Sequence, residues 1–587
     1  MHKFIIVPLT ILPIATIFND SNSLPKFLGL ITGTLILMAS KWKEFQIKHS
    51  LHWVLLALAG LYFIGQIYKP ISLESFLLGS WGRNGGFIAL CCFVIIFIIS
   101  SSTNSNEIYQ FHKIFYLTSC AVYIYGLVQI TKIVSLPVNS IYKNELIATF
   151  GNPNFTSAFI GMALSVQIYI GISNFRFKKF TLINTIVVGI GFYELFLTKS
   201  IQGYLVIIVN VSIFSVLFFY TNFKAVSVRF KQMISVAALL GATIFTINLQ
   251  NLINWLVING SIKQRIGYWK LGLDIFQDNL LFGVGIDNMR DPATRYRSLE
   301  LVKQEGIFTA PDRAHNVILD HFVNGGIFTG VAWVIVIVWI SYVALKNIVD
   351  AKFKSESNLG IYANIIWFSY LTQSLISVDH IALTTLGIMS GGIILSRNKE
   401  LKSVDVRSVI TSTILSRLTL ILLFPILIFC FYFMTTIVKS EISANNFLNL
   451  NQPEYIEPIF NSKYVAPQTL EQVMVKLSKE KNLRESYKFA NKLLIYRPNS
   501  HQAYYMRSVY FESLNEIETA KIEMLKAQKL DQYNSVYLLA LAIYEYNLDN
   551  LSSAKVYLER AKNITPTQKG LQEVEAALIL KQKLNIK

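Results

Sequence analysis

Between Arg265 and Gly330 an otherwise apolar chain turns polar. The segment opens on Arg265-Ile-Gly-Tyr-Trp269 and passes through Gly283-Val-Gly285. It closes on Asp312-Arg313-Ala-His315-Asn316-Val-Ile-Leu-Asp320, followed by Gly325-Gly326. A guanidinium presents a planar fork of donors suited to oxyanions. An imidazole is the side chain that most readily moves a proton near neutral pH. Arg, Asp and His gathered in one hydrophilic loop between apolar runs mark the place where chemistry is expected. His315 and Asp320 are five residues apart and share a helix side only loosely, whereas Gly325-Gly326 lack side chains and permit close helix packing.

The elements that must position this loop are membrane helices. Of 587 residues, 53% are hydrophobic and only 15% are charged, below the roughly one quarter usual in soluble domains. Apolar runs of about 18 residues or more recur along the chain, the signature of a polytopic membrane protein. About thirteen spans are expected, the first over 4–18 and the last over 410–438, with others including 231–249 and a long run over 317–345. The first has no small-residue cleavage site and is read as a retained helix. The formal charge of +18 is spread over short loops, which argues for membrane orientation and against a nucleic-acid-binding face. Lys41, Lys43, Lys48, Arg176, Lys178, Lys179, Arg397 and Lys399 fall in one alternate set of loops; Lys69, Arg83, Lys143 and Lys199 fall in the sparser set. This distribution places the N-terminus in the cytoplasm, and both the 250–316 loop and the C-terminal region outside it. Cys91, Cys92, Cys120 and Cys430 lie in apolar runs without CxxC spacing, so neither a disulfide nor a zinc framework is expected.

Beyond Val438 the composition becomes that of a soluble helical domain. Residues 439–467, with Pro453, Pro458 and Pro467, read as a linker. Within 468–587 a 34-residue period links Pro498, Gln532 and Pro566, Ala520 and Ala554, and Ala527 and Ala561. That spacing resembles tetratricopeptide repeats, stacked helix pairs that most often serve as a stability cap or a protein-docking scaffold. The fold class expected is therefore all-α: a membrane domain over 1–438 with one large extracytoplasmic loop, followed by a soluble helical-repeat domain.

Taken together, Arg265-x3-Trp269, Gly283-Val-Gly285, His315-Asn316 with Leu319-Asp320, and Gly325-Gly resemble the O-antigen ligase and polymerase superfamily. Gly151-Asn152-Pro153-Asn154-Phe155 resembles a motif of the same family in an earlier external loop. The resemblance implies a bacterial inner-membrane transferase that moves a glycan from a polyprenyl diphosphate to an acceptor hydroxyl, on the extracytoplasmic side. It implies a functional His and Arg in the large loop. Such a donor already carries a good leaving group, so the site needs cations for the departing diphosphate and a base for the acceptor. His315 is assigned as base or acceptor-orienting group, Arg265 and Arg313 as diphosphate clamps, and Asp320 or Asp312 as the group orienting the imidazole. Lys199, Asn316, Asp312, Asn154 and Asp379 are assigned to substrate binding. The family commonly places an Arg after a Ser in the short loop that here reads Lys199-Ser-Ile-Gln-Gly203, so Lys199 would supply that charge as a point donor.

Other readings of these residues exist. His315 could cap the helix that follows it, Arg265 could anchor at the interface beside Tyr268 and Trp269, and Asn154 could be an N-cap. Arg290, Arg295 and Arg297, flanked by Asp287, Asp291 and Glu300, read as a solvated face. Glu194 and the Asp379-His380 pair would be costly facing lipid. No metal or nucleotide motif is present, and no metal cofactor is expected. The partners implied are the lipid-linked glycan, a lipid or protein acceptor, the bilayer, and a protein reached through the repeats. Within the family, ligase, polymerase and protein O-oligosaccharyltransferase reactions stay open. A transporter or flippase predicts inverted repeats, which the spans lack, and a non-catalytic scaffold would function without His315.

Overall fold

The computed structural model describes residues 2–41, 44–131, 145–173, 178–222, 261–351, 359–397, 429 and 432–585. The expected 231–249 span, most of 410–438, Lys143 and the start of the 250–316 loop lie outside the described residues. All regular structure among the described residues is helical. Four helices are long and apolar enough to cross a membrane: Ser23–Lys41, Ser50–Tyr68, Ser105–Thr131 and Val317–Asp350. Shorter apolar helices include Phe87–Ser100, Leu182–Leu197, Gln202–Leu217 and Ile381–Ser396. Leu117, Ile124, Ile183, Ile186, Phe196, Ile208 and Val216 lie exposed along these helices, a surface that suits lipid and not water.

Small residues set the closest approaches. Gly161 in Pro153–Ser173 faces the backbone of Gly203 in Gln202–Asn222, so a Cβ at either position would strike main chain. Ser157 ties the same two helices, with Oγ accepting from Gly203 N at 2.8 Å. Such small-residue contacts replace the hydrophobic drive that is missing inside a bilayer.

The 4–18 run is not one helix. Helix covers only Ile6–Ile11, and residues 13–15 are irregular, since Pro13 cannot continue the ladder. Non-helical backbone at this depth needs internal partners. Lys26, 0% exposed, supplies them: Nζ donates to Pro13 O at 2.8 Å, Asn22 O at 3.3 Å and Thr149 O at 2.5 Å.

The long 317–345 run is also two helices, within Val317–Ala351. Gly326 breaks it with φ +77° and ψ −173°, a conformation open to glycine. The freed groups are taken up by the strand-like turn of the Gly283-Val-Gly285 motif. Val284 N donates to Val323 O at 3.0 Å, Gly285 N to Asn324 O at 3.0 Å, and Ile327 N to Leu280 O at 2.8 Å. The two glycine motifs of the polar segment therefore serve one junction.

Charged loops sort to the two ends of the bundle. At the end of Ser23–Lys41, Lys3 and Lys41 share Glu44 and Glu107 over 2.6–3.3 Å. At the end where Phe87–Ser100 begins lie Arg83, Asp287, Asp312 and Arg313.

The helix after the last apolar run continues through residue 450, and Ile456–Asn461 is helical too, so the 439–467 connector is largely ordered helix. Helices then begin at Pro467, His501 and Ser535, each paired with a second beginning at Leu483, Ile517 and Leu551, a 34-residue recurrence. Ala520, Ala527, Ala554 and Ala561 are all 0% exposed. These helix pairs rest on the 290–312 segment at the same end as Arg83. Arg297 is the main tie: its guanidinium donates to Asp531 Oδ1 at 2.6 Å and Oδ2 at 2.8 Å, to Thr309 O at 2.8 Å and to Ile307 O at 2.7 Å. Arg290 reaches Glu471 at 3.5 Å. The solvated-face reading thus holds for exposed Arg295 and fails for Arg297 and Arg290. Their carboxylate partners lie more than a hundred positions away, beyond the nearby acids that suggested solvation.

The Arg297 and Asp531 side chains are 1% and 0% exposed. Removing one partner of a buried pair costs about 3–5 kcal/mol. Asp531→Ala is therefore expected to undock the helix pairs, with backbone amides of 290–312 losing hydrogen-exchange protection while those of Ser23–Lys41 keep theirs.

Candidate functional site

Asp287 is the centre of the site end. Its Oδ1 accepts from Arg313 Nε at 2.8 Å, and its Oδ2 accepts from Ser80 N at 2.8 Å and Gly85 N at 3.1 Å. Ser80 Oγ donates to Asp287 O at 2.7 Å. The 79–86 loop can wrap this carboxylate because Gly79 adopts φ +78° and because a Cβ on Gly85 would collide with the Arg313 guanidinium. Arg313 is 5% exposed. Burial pushes its pKa down, but Asp287, with Asp320 and Asp379, outweighs that and holds it above the usual arginine value.

Arg313 lines a cavity of about 80 Å³ with Tyr62, Asp287, Asp320, His321 and Asp379. Small-molecule sites run to about 300–1,000 Å³, and this hollow is smaller. Arg313 is not the free clamp expected from sequence: its charge is already matched. Asp320 does not orient His315 either. Its Oδ1 accepts from Ala314 N at 2.7 Å, and it faces the Arg313 cavity. Asp379 lines that cavity as well, with Oδ1 accepting from Thr384 Oγ1 at 3.0 Å and Tyr370 hydroxyl at 3.2 Å.

His315 does not line this cavity. Its φ of +56° is left-handed, rare for a residue with a Cβ. Its ring lies 4.9 Å from Tyr268, and Nδ1 is 3.2 Å from Arg313 O. A carbonyl only accepts, so that contact assigns the proton to Nδ1 and leaves the lone pair on Nε2. Burial lowers the His315 pKa below its ordinary 6.5; Asp312 and the Arg313 carbonyl pull it up, and Arg83 and Arg265 push it down again. The imidazole is consequently neutral at pH 7, the state a base requires.

Three other charged groups surround it. Arg83 Nε donates to Asp312 Oδ2 at 2.7 Å. Burial raises the Asp312 carboxyl, but Arg83, with His315 and Arg313, holds it well below the usual range. Arg265, on Ser261–Gln277, has its pKa lowered by burial, with only Tyr268 opposing. Among the described residues no carboxylate pairs with Arg265. The Gln202 amide, oriented to satisfy both neighbours, accepts from Arg265 Nη2 at 3.2 Å and donates to Asn154 O at 3.3 Å.

Asn154 therefore reaches the site, although not as a helix cap. The helix starts at Pro153, and Asn152 Oδ1 accepts from Asn154 N at 2.8 Å as its cap. The Asn154 side chain accepts instead from Ser200 Oγ at 2.8 Å. Asn316 is a structural cap: Oδ1 accepts from Leu319 N at 3.1 Å and Nδ2 donates to Leu375 O at 3.1 Å. Lys199 is exposed with φ +54°, and among the described residues no ion pair joins it to the others. The structure thus gathers Arg265, Asp312, His315 and Asn154, and leaves Lys199, Asn316, Asp320 and Asp379 outside that group. Glu194 is 0% exposed and packs against Gly126, inside the bundle and away from lipid.

Residues 186–334 match the family model described as O-antigen ligase. Over these residues the chain is similar to O-antigen ligases. No curated protein matches the chain. The O-antigen ligase match runs from before Lys199 to beyond Gly326 and so takes in Arg265, Asp287, Asp312, Arg313 and His315. It points to glycan transfer at a membrane. Arg83, Asn154 and Asp379 lie outside the matched stretch of the ligase domain.

Arg83, Asp287 and His321 were not singled out from the sequence. Arg83 had a usable signal, a lone cation among glycines in Trp81-Gly-Arg-Asn-Gly-Gly86. Asp287 and His321 had none; His321 is held by Tyr62 at 2.9 Å, a partner far away in the chain.

The charges around His315 set the direction of its titration. Diethyl pyrocarbonate labels neutral imidazole, so His315 in the full-length protein is expected to stay reactive below pH 6.5. Arg265→Gln removes a repelling cation and should move the midpoint up; Asp312→Asn removes an attracting anion and should move it down. Site-resolved mass spectrometry of the adduct reads both.

Proposed function

We propose that this protein is a glycan transferase that moves a glycan from a polyprenyl diphosphate carrier to an acceptor hydroxyl, on the extracytoplasmic face of a bacterial inner membrane. The observation carrying this reading is a neutral His315 within electrostatic reach of Arg265, a half-buried guanidinium with no carboxylate partner among the described residues. A desolvated cation without a counter-ion favours an anionic ligand. The diphosphate of the carrier supplies that ion.

In this mechanism Arg265 binds the diphosphate through its fork of donors, and Arg83, shared with Asp312, adds a second cation nearby. His315 Nε2 takes the proton of the acceptor hydroxyl. The acceptor oxygen bonds to the anomeric carbon as the bond from that carbon to the phosphate oxygen breaks. The electron pair leaves with the polyprenyl diphosphate, whose growing charge Arg265 neutralises. Asp312, close enough to raise the imidazole pKa, stabilises the imidazolium that forms. Arg313 and Asp287 hold the loop and touch no substrate. The extracytoplasmic assignment rests on the sparse Lys and Arg of the loops at the site end.

With purified full-length protein and a polyprenyl-diphosphate-linked glycan, His315→Ala is expected to lower transfer about 10²–10⁴-fold. Arg265→Gln should lower it about 10²–10³-fold, with Arg265→Lys recovering only part. The acid limb of the pH profile should fall below pH 6.5, because protonation of His315 removes the base. Undiminished turnover by His315→Ala would reject the assignment. In cells, deletion separates the reaction types: glycan lost from lipid marks a ligase, glycan lost from exported protein marks an oligosaccharyltransferase, and short unpolymerised glycan marks a polymerase.

A further inference from the structure

A second, larger chamber of about 650 Å³ opens beside the ion-pair layer. That is within the roughly 300–1,000 Å³ of small-molecule sites. Its walls come from the irregular N-terminal segment, the Trp81–Arg83 turn, the Gly151-Asn152 turn, His380 and the helical residues 442–450. Amides dominate it, with Asn22, Asn152, Asn446 and Asn449 among the lining, and Trp81 supplies a partly exposed aromatic ring.

The charges at its edge are already matched. Asp20 is consumed by Ser23 N at 2.8 Å, Leu24 N at 3.1 Å and Asn22 N at 3.3 Å. Arg83 is held by Asp312. What the chamber offers a ligand is neutral: amide donors and acceptors in pairs, plus an aromatic ring. Among the described residues the Asn446 side chain forms no hydrogen bond, and it is only half-buried. A phosphate or nucleotide would find too little cationic charge here. A sugar has the complementary surface, hydroxyls that both donate and accept and apolar C–H faces that lie on aromatic rings.

The position of the chamber is equally specific. Arg83 lines it and also holds Asp312 beside His315; Asn152 caps the helix whose Asn154 carbonyl accepts from Gln202, the amide that also meets Arg265. None of the lining residues falls within 186–334. The family-matched stretch supplies the reacting groups, and the chamber is built from the rest of the chain.

We propose that this chamber is a sugar-recognition subsite, holding neutral sugar units of a substrate while the diphosphate lies at Arg265. The proposal rests on the transferase reading above. Its occupant is a neutral saccharide, carried by either the donor or the acceptor.

The test uses full-length protein in lipid nanodiscs with Asn446→Leu, which removes the amide, and Asn446→Trp, which fills the chamber. Both are expected to lower glycan transfer about ten-fold or more, the equivalent of one or two lost hydrogen bonds. Binding of undecaprenyl diphosphate, which bears no sugar, should match the wild type. Recovery of Asn446→Leu at high donor concentration assigns the subsite to the donor glycan; recovery at high acceptor concentration assigns it to the acceptor. Wild-type transfer by Asn446→Trp overturns the proposal. So does parallel loss of undecaprenyl diphosphate binding, which would place the carrier or the fold in the chamber. Full transfer by His315→Ala is a separate result that rejects the transferase reading instead.

Discussion

The site end depends on a single buried ion pair, Arg313 with Asp287. Without Arg313, Asp287 would be an isolated anion between two backbone N–H groups; without Asp287, Arg313 would be a desolvated cation. Joined, they let three segments distant in the chain meet: the 79–86 loop, the turn after Gly285 and the Asp312–Asp320 stretch. The cost of burying both charges is offset because both Asp287 oxygens are engaged. This pair is scaffolding, and it fixes the backbone that leads into His315. His315 takes its left-handed turn between Arg313, whose side chain is anchored, and Asp320, which receives Ala314 N.

Two kinds of cation thus occupy one region with opposite duties. Arg313 and Arg297 are saturated, each held by a carboxylate and nearly sealed from solvent. Arg265 is half-buried with no such partner among the described residues, and Arg83 is shared with Asp312 at the edge of both hollows. The docked helix pairs belong to the same logic: Arg297 holds Ile307 O and Thr309 O with the same guanidinium that binds Asp531. The C-terminal unit and the segment leading into Asp312 are thereby ordered together.

Helix breaks supply the remaining freedom. Gly326 opens a long apolar helix so that the Gly283-Val-Gly285 turn can dock on its exposed carbonyls. Pro13 ends the first helix early, and Lys26 compensates the irregular backbone from inside the protein. A run of apolar residues signals that a segment is embedded; it carries no information on where such a break finds its partners.

Local pattern was enough to read the helical membrane character, the polar segment and the 34-residue recurrence of the C-terminal helices. Each follows from residue type and near-neighbour spacing, which hydropathy and turn chemistry register directly. Which charges would be matched was decided only by the folded chain. Arg313 meets Asp287 across 26 positions, Arg83 meets Asp312 across 229, and Arg297 meets Asp531 across 234. An arginine looks the same in sequence whether it ends as a strut or as a binding group. The difference is whether a carboxylate from elsewhere reaches it, and that is a property of tertiary packing.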